Sequence, residues 1–372
     1  MSKSSATNLT RRTVGIQSAK RLISAIAPSK QAIILIGPPG CAKSAIVQEI
    51  ADEQYGGNLI DVRLSQMDPV ETKGIPMPNG DTTKWLRPDF LPVVDPDNLE
   101  GTEKGILFLD EFTCATPAVL NSMLQLVNDR KIGTDYTLPD GWVVIAAANL
   151  AEHGAHVTEL SAPMHNRYVH VYVEPSWDDT KDFYVKAGVR PEILAYLEYR
   201  PDHLFQVPER GQHCFPTPRS WHILSNIWHT AVESNGGNEI SPIEIGELAA
   251  ASVGSGTSVE LRSFLSTYNK IFPDRIINNG EMPNFSSEPS LYYAAVMSVA
   301  YYFVNKVKKY DKTVCTNFLD FADTLPPEFQ LILVRCTNFK KNSKIFPALL
   351  KSDQKRVTQF ATYHLDAMRG TD

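Results

Sequence analysis

The stretch Gly37-Pro38-Pro39-Gly40-Cys41-Ala42-Lys43-Ser44 constrains this chain more than any other. A short apolar run, Ala32 to Ile36, precedes it, and an amphipathic run, Ala45 to Ala51, follows. A strand, a glycine-rich turn ending in Lys-Ser and then a helix form an arrangement that cradles phosphates. Backbone N–H groups of the turn and of the new helix face the anion, and glycine lets the chain approach closely. In that geometry Lys43 sets a cation on the β/γ-phosphates of a nucleotide, and the Ser44 hydroxyl takes a magnesium position. The phosphate-loop pattern asks for glycine just before the lysine. Here that place holds Ala42, whose methyl is the smallest group that could crowd the turn.

Two further apolar runs end in polar groups suited to the same chemistry. Gly105-Ile106-Leu107-Phe108-Leu109 leads into Asp110 and Glu111. Unbroken apolar runs read as buried strands of a parallel sheet, and ligands sit outside the carboxyl ends of such strands. Asp110 is placed to hold magnesium through water, and Glu111 to polarise the attacking water, because phosphoryl transfer relies on positioning and charge neutralisation. An ordinary strand with a solvated Asp-Glu turn is the alternative, and the pairing with the phosphate loop counts against it. Trp142 to Ala148 forms another run, ending at Asn149. Its amide could orient the lytic water or touch the γ-phosphate, whereas asparagine at a strand end is also a common turn former.

These elements resemble the AAA+ ATPases and, more narrowly, their MoxR family. The resemblance covers approximately the first three hundred residues. It rests on the GPPGxAKS loop, the LFLDE strand and the AAAN strand end. It extends to Arg63-Leu64 through Gly74-Ile75-Pro76 and Lys84-Trp85-Leu86-Arg87-Pro88, which is similar to the family's insertion after the second strand. Asn128 to Gly133, running on to Leu138-Pro139-Asp140-Gly141-Trp142, resembles the hairpin before its sensor strand. Some members of the family carry alanine where Ala42 stands. The resemblance implies that Arg167, in Asn166-Arg167-Tyr168, is an arginine finger reaching a neighbouring subunit's nucleotide. It likewise implies that Arg219, in Pro218-Arg219-Ser220-Trp221, is a sensor of the helical lid. A finger supplied in trans implies head-to-tail contacts, which close into rings, so a hexamer is expected.

The expected fold is α/β: a P-loop NTPase αβα sandwich, here an AAA+ core with a parallel five-stranded sheet, then an α-helical lid and a helical C-terminal segment. Strands are expected at 32–36, 58–64, 105–110, 142–148 and 168–173, with hairpins around Asn79-Gly80 and over Arg130 to Leu138. Helical spacing is expected from Val14 to Ala27, with Ile16, Leu22, Ile23 and Ile26 available for one face. Residues 1–13 are read as a flexible N-terminus, 14–174 as the nucleotide-binding domain, 175–310 as the lid and 311–372 as a helical extension. In AAA+ proteins such hairpins commonly grip substrates or couple to partners, and the resemblance implies an ATP-hydrolysing chaperone that remodels or activates other proteins. A partner with a von Willebrand factor A domain would be a separate polypeptide, since this chain lacks the DxSxS motif.

Composition narrows the alternatives. A net charge of −6 over 372 residues argues against a dominant nucleic-acid surface. A DNA-directed AAA+ motor is therefore the second reading, and a binding-only scaffold the third. Lys306, Lys308, Lys309, Lys312, Lys340, Lys341, Lys344, Lys351, Lys355 and Arg356 make the last segment basic, either as a solvated helix face or as a dock for an acidic partner. Five dispersed cysteines argue for a reducing, cytoplasmic setting. Cys41, at a helix N-terminus, is either an oxidisable thiol of lowered pKa or simply a small residue the loop tolerates. Neither Glu152-His153 with His156 nor His213-Cys214 supplies four ligands at a structural-zinc spacing. No signal peptide and no apolar run of membrane-spanning length is evident.

Overall fold

The computed structural model describes residues 12–98, 102–150, 157–208, 211–285, 289–337 and 344–359. The chain divides into two compact units. One comprises residues up to Thr180 with Val207–Gln212 and Thr217–Arg219, and the other Lys181–Gln206, His213–Pro216 and the chain from Ser220 onward.

The first unit is built on a parallel sheet. Its elements are β1 (Thr13–Val14), α1 (Ile16–Ile26), β2 (Ala32–Ile36), α2 (Lys43–Gln54), β3 (Leu59–Arg63), α3 (Pro69–Lys73), β4 (Ile75–Asn79), β5 (Thr82–Leu86), β6 (Lys104–Asp110), α4 (Pro117–Asp129), β7 (Lys131–Ile132), β8 (Tyr136–Thr137), β9 (Gly141–Ala148), α5 (Ala162–His165) and β10 (Tyr168–Val173). The sheet runs β1-β10-β2-β9-β6-β3, with every neighbouring pair parallel. Parallel pairing needs crossovers, and the helices supply them on both faces.

Period-2 alternation divides the core into two layers. Ile34, Ile36, Leu107, Leu109, Val144 and Ala146 pack with Val119, Leu120, Met123 and Leu126 of α4. Ile33, Leu35, Ile106, Phe108, Ile145 and Ala147 pack on the other face with Ile23 of α1 and Ile46, Val47 and Ile50 of α2. The central strands β2 and β9 are apolar almost throughout because both faces are covered.

The sheet has one strand more than the pattern predicts. Thr13 and Val14 pair with Tyr172 and Val173 instead of opening α1, and Gly15, extended at φ −71 and ψ 169, separates them from the helix. Two residues carry no periodicity, so only the ladder offered by β10 marks them as a strand. The two hairpins form separate two-stranded sheets, β4 with β5 and β7 with β8.

The second unit is helical. Proline opens the helices Pro191–Tyr199, Pro242–Val253 and Pro327–Cys336, where its missing N–H costs nothing. Ser241 and Glu244 form a capping box, and Asp311 caps Lys312–Thr324 through the Val314 N–H at 3.0 Å. The apolar stripe of Pro289–Asn305 is core: Ala295, Val296, Val299, Ala300 and Phe303 are buried. Arg356 of the basic segment is engaged by Asp320 at 2.8 Å and by Asp323, and Lys340 and Lys341 lie outside the described residues.

Candidate active site

The phosphate loop leaves β2 beside the end of β9. The Gly37 N–H donates to the Ala148 carbonyl at 3.2 Å, carrying the ladder one residue into the loop. A Cβ on Gly37 would lie 2.6 Å from the Val173 carbonyl, so no side chain fits there. The loop enters α2 at Ala42, which takes a left-handed conformation, φ 68 and ψ 23. Crowding is therefore not the main consequence of alanine here. The backbone itself is in the region glycine favours, at a cost of about 1–2 kcal/mol for an L-residue.

Lys43 is buried, with 9% of its surface exposed. Its Nζ donates to the carbonyls of Gly37 and Pro38 and to Asn149 Oδ1, each at 2.9 Å. All three acceptors are neutral, and no carboxylate among the described residues pairs with it. Burial pulls its pKa down, while the charge of Asp110 acts in the opposite sense. An ammonium desolvated in this way is a receptor for an anion.

Ser44 Oγ donates to Asp110 Oδ2 at 3.3 Å, and Asp110 Oδ1 accepts the Glu111 N–H at 2.8 Å. A hydroxyl beside a carboxylate is an all-oxygen, hard donor set that fits Mg2+, with phosphate and water left to complete its shell. Glu111 is itself left-handed, φ 53 and ψ 34. That turn throws its carboxylate toward Ser65, whose hydroxyl donates to Glu111 Oε2. Phe112, buried and edge-on to Tyr168 with centroids 5.4 Å apart, anchors the turn. Strain of this kind persists only where surrounding packing imposes it.

Asn149 is held at both backbone groups by one side chain. Thr113 Oγ1 accepts the Asn149 N–H and donates to the Asn149 carbonyl, both at 3.1 Å. Asn149 joins Lys43 on one side and meets the Cys114 thiol on the other. Asp61 on β3 adds a further carboxylate, its pKa raised by burial and by the nearby Asp110.

Sequence reasoning missed Ser65, Thr113 and Asp61. The available signal was positional. Ser65 closely follows the end of β3, and Thr113 closely follows the carboxylate pair, at the same edge of the sheet.

The remaining candidates stand differently. Arg219 is exposed, and its charge depresses the Lys43 pKa; its Cβ would lie 3.2 Å from a Cβ on Gly40. Arg167 is apart from the cluster around Lys43: its Nε donates to Asn128 Oδ1 at 3.0 Å, near the end of α4. Cys41 is fully buried, and burial pushes its thiol pKa up, not down. It fills space beneath the loop, with Sγ 3.9 Å from Lys43 Nζ. Cys214 donates to the Ala251 carbonyl at 3.1 Å, while Glu152, His153 and His156 lie outside the described residues. No helix among the described residues is long and apolar enough to cross a membrane.

Residues 32–168, which hold the loop, the carboxylates and Asn149, match the family model of the AAA domain, dynein-related subfamily. This segment is an AAA domain. Among solved structures, the chain is similar to NtrX from Brucella abortus in complex with ADP, at 15% identity, 94% coverage of this chain, 70% of that one and a TM-score of 0.39. It is also similar to a RuvB mutant from Thermotoga maritima, at 14% identity, 71% and 74% coverage and a TM-score of 0.38. A third similar structure is the S. cerevisiae Hsp104–ADP complex, at 16% identity, 58% and 41% coverage and a TM-score of 0.35. Within the AAA domain, the loop and both strand ends converge at one edge of the sheet, where an α/β sheet binds its ligand.

Proposed function

We propose that the chain is an ATP-hydrolysing, MoxR-like AAA+ machine that assembles as a hexameric ring and remodels or activates separate partner proteins. The observation that carries this reading is the buried ammonium of Lys43, which forms no ion pair among the described residues and is set beside Ser44, Asp110 and Asn149. Such a charge is offset when phosphates arrive.

In this reading the loop N–H groups and Lys43 bind the β/γ-phosphates. Ser44 and Asp110 would hold Mg2+, which would supply charge neutralisation at the phosphates. Glu111, released from Ser65, takes the proton of the attacking water. Asn149 holds the γ-phosphate end of the site in register with Lys43. Arg167 serves a neighbouring subunit and Arg219 its own lid. The bond from Arg167 to Asn128 supports the assignment in trans, since Arg167 Nε donates there and not into its own phosphate loop. A cytoplasmic location and a separate partner protein, with a chain bearing a von Willebrand factor A domain as one candidate, belong to the same proposal.

The test is ATP turnover per subunit across a dilution series, with Arg167→Ala beside the parent. Turnover should rise with protein concentration, and the variant should lose about 10³-fold even when assembled. A rate that stays constant on dilution and ignores Arg167 discards the ring. Stimulation by DNA at physiological salt would favour the DNA-directed motor instead.

A further inference from the structure

The β4–β5 hairpin displays apolar side chains on both faces, and every residue of both strands is exposed. Cross-strand pairing sets Ile75 opposite Leu86 and Met77 opposite Lys84 on one face, and Pro76 opposite Trp85 on the other. Ile75, Met77, Trp85 and Leu86 stay 56%, 46%, 47% and 51% exposed. Neither strand pairs with any other described strand, so each offers a free edge.

A cleft of about 330 Å³ adjoins the hairpin. Trp85, Leu91, Ile132 and Tyr136 form apolar wall, and Lys73 and Arg87 contribute cations. The Tyr136 hydroxyl donates to the Pro92 carbonyl at 2.8 Å, which fixes its ring. Neither Lys73 nor Arg87 has an ion-pair partner among the described residues; the wall also holds one carboxylate, Asp135, which accepts from Thr134 and keeps its charge, so the lining as a whole carries one net positive charge.

We infer that this cleft and the adjoining hairpin bind an extended acidic segment of a partner protein, with apolar side chains between its carboxylates. The two uncommitted cations supply the charge complement, the free strand edges supply main-chain hydrogen bonds, and Ile75, Met77 and Leu86 supply area for alternate side chains. A nucleic-acid strand fits less well. Its repeating phosphates call for a track of cations, and it gains nothing from exposed aliphatic groups. The inference rests on the partner-remodelling reading and names the site and chemical class of the partner.

Trp85 provides the readout. The other four tryptophans, Trp142, Trp177, Trp221 and Trp228, are at most 7% exposed, so iodide quenching of the full-length chain reports mainly on Trp85. Short peptides alternating Glu with Leu or Phe should protect Trp85 saturably. Their Gln-for-Glu counterparts, and the Arg87→Gln variant with the acidic peptide, should bind about tenfold more weakly. Anisotropy of a labelled acidic peptide should show a comparable loss for Trp85→Ala. Both variants alter exposed side chains, so a circular dichroism spectrum like the parent's is expected. Equal binding of acidic and neutral peptides, or no protection, overturns the inference. Stronger protection by oligo-dT also overturns it, and assigns the surface to nucleic acid. Failed peptide binding with concentration-dependent turnover removes the dock and leaves the ring. Peptide binding with concentration-independent turnover does the reverse.

Discussion

Among the described residues, each unit buries one Lys or Arg to nearly the same depth, and the two are treated in opposite ways. Lys43 in the AAA domain is 9% exposed, and Arg190 in the helical unit is 7% exposed. Arg190 donates to Glu192 at 2.8 and 3.0 Å and to both oxygens of Glu239 at 2.8 Å, and its guanidinium lies 4.6 Å from the centroid of Trp228. Burial alone would lower its pKa, but the two carboxylates more than offset it and the net shift is upward. Lys43 has carbonyl and amide oxygens and a buried thiol but no paired carboxylate among the described residues, and its net shift is downward. Burial is thus common to both; the counter-charge separates them. A cation neutralised by its own fold is structural, whereas one left charged among neutral acceptors awaits a ligand.

Substitution can break this comparison directly. Arg190→Met should cost about 3 kcal/mol in denaturant unfolding, because it strands the half-sequestered Glu192 carboxylate. Lys43→Met should leave the nucleotide-free protein as stable as the parent or slightly more so, while abolishing ATP binding. Equal destabilisation by the two variants would mean that Lys43 is structural after all.

A pH series sharpens the same contrast. The folded pKa of Lys43 lies below the ordinary lysine value of 10.5, so its desolvation cost is fully present at low pH, where both states are protonated. As pH rises through the folded pKa toward 10.5, the folded state gives up the proton first and the cost is relieved. The stability of the parent relative to Lys43→Met should therefore rise over that window, and saturating ATP should flatten the trend. Parent against Arg190→Met should stay level, because that guanidinium remains charged throughout.

Thr113→Val tests how firmly the site is organised. It removes both hydrogen bonds to the Asn149 backbone at nearly constant volume, so turnover should fall about tenfold with nucleotide affinity little changed. A loss confined to affinity would place Asn149 in binding and not in turnover. The smallest effect is expected of Ala42→Gly. Relief of the left-handed backbone, about 1–2 kcal/mol, is opposed by about 0.4–1 kcal/mol of added unfolded-state entropy, leaving a net stabilisation of about 0–1.6 kcal/mol in thermal unfolding.

The α/β unit was more legible than its own active site. Strands such as Ala32–Ile36 and Gly141–Ala148 announce themselves because they are buried on both faces and are apolar almost throughout. Lys43, Asp110 and Asn149 are legible because each sits at a strand end or loop fixed by those runs. Ser65 and Thr113 were not, because their role depends on two strand ends arriving side by side. Thr13 and Val14 were missed for a similar reason: their pairing partner lies far along the chain. Of the two readings of Cys41, burial removes the lowered-pKa thiol and leaves the small residue the loop tolerates, since desolvation governs the buried thiol.

What the sequence by itself determined is the periodicity and the spacing. Those set a parallel sheet, a phosphate loop before α2, carboxylates at the end of β6 and an amide at the end of β9. Only the tertiary structure decided which charges are satisfied. It left Lys43 with neutral acceptors, gave Glu111 to Ser65, clasped Asn149 with Thr113 and left Trp85 in solvent beside two uncommitted cations. The physical reason is that secondary structure follows from local sterics and apolar patterning. The fate of a charge, by contrast, depends on desolvation and on partners brought together from distant parts of the chain.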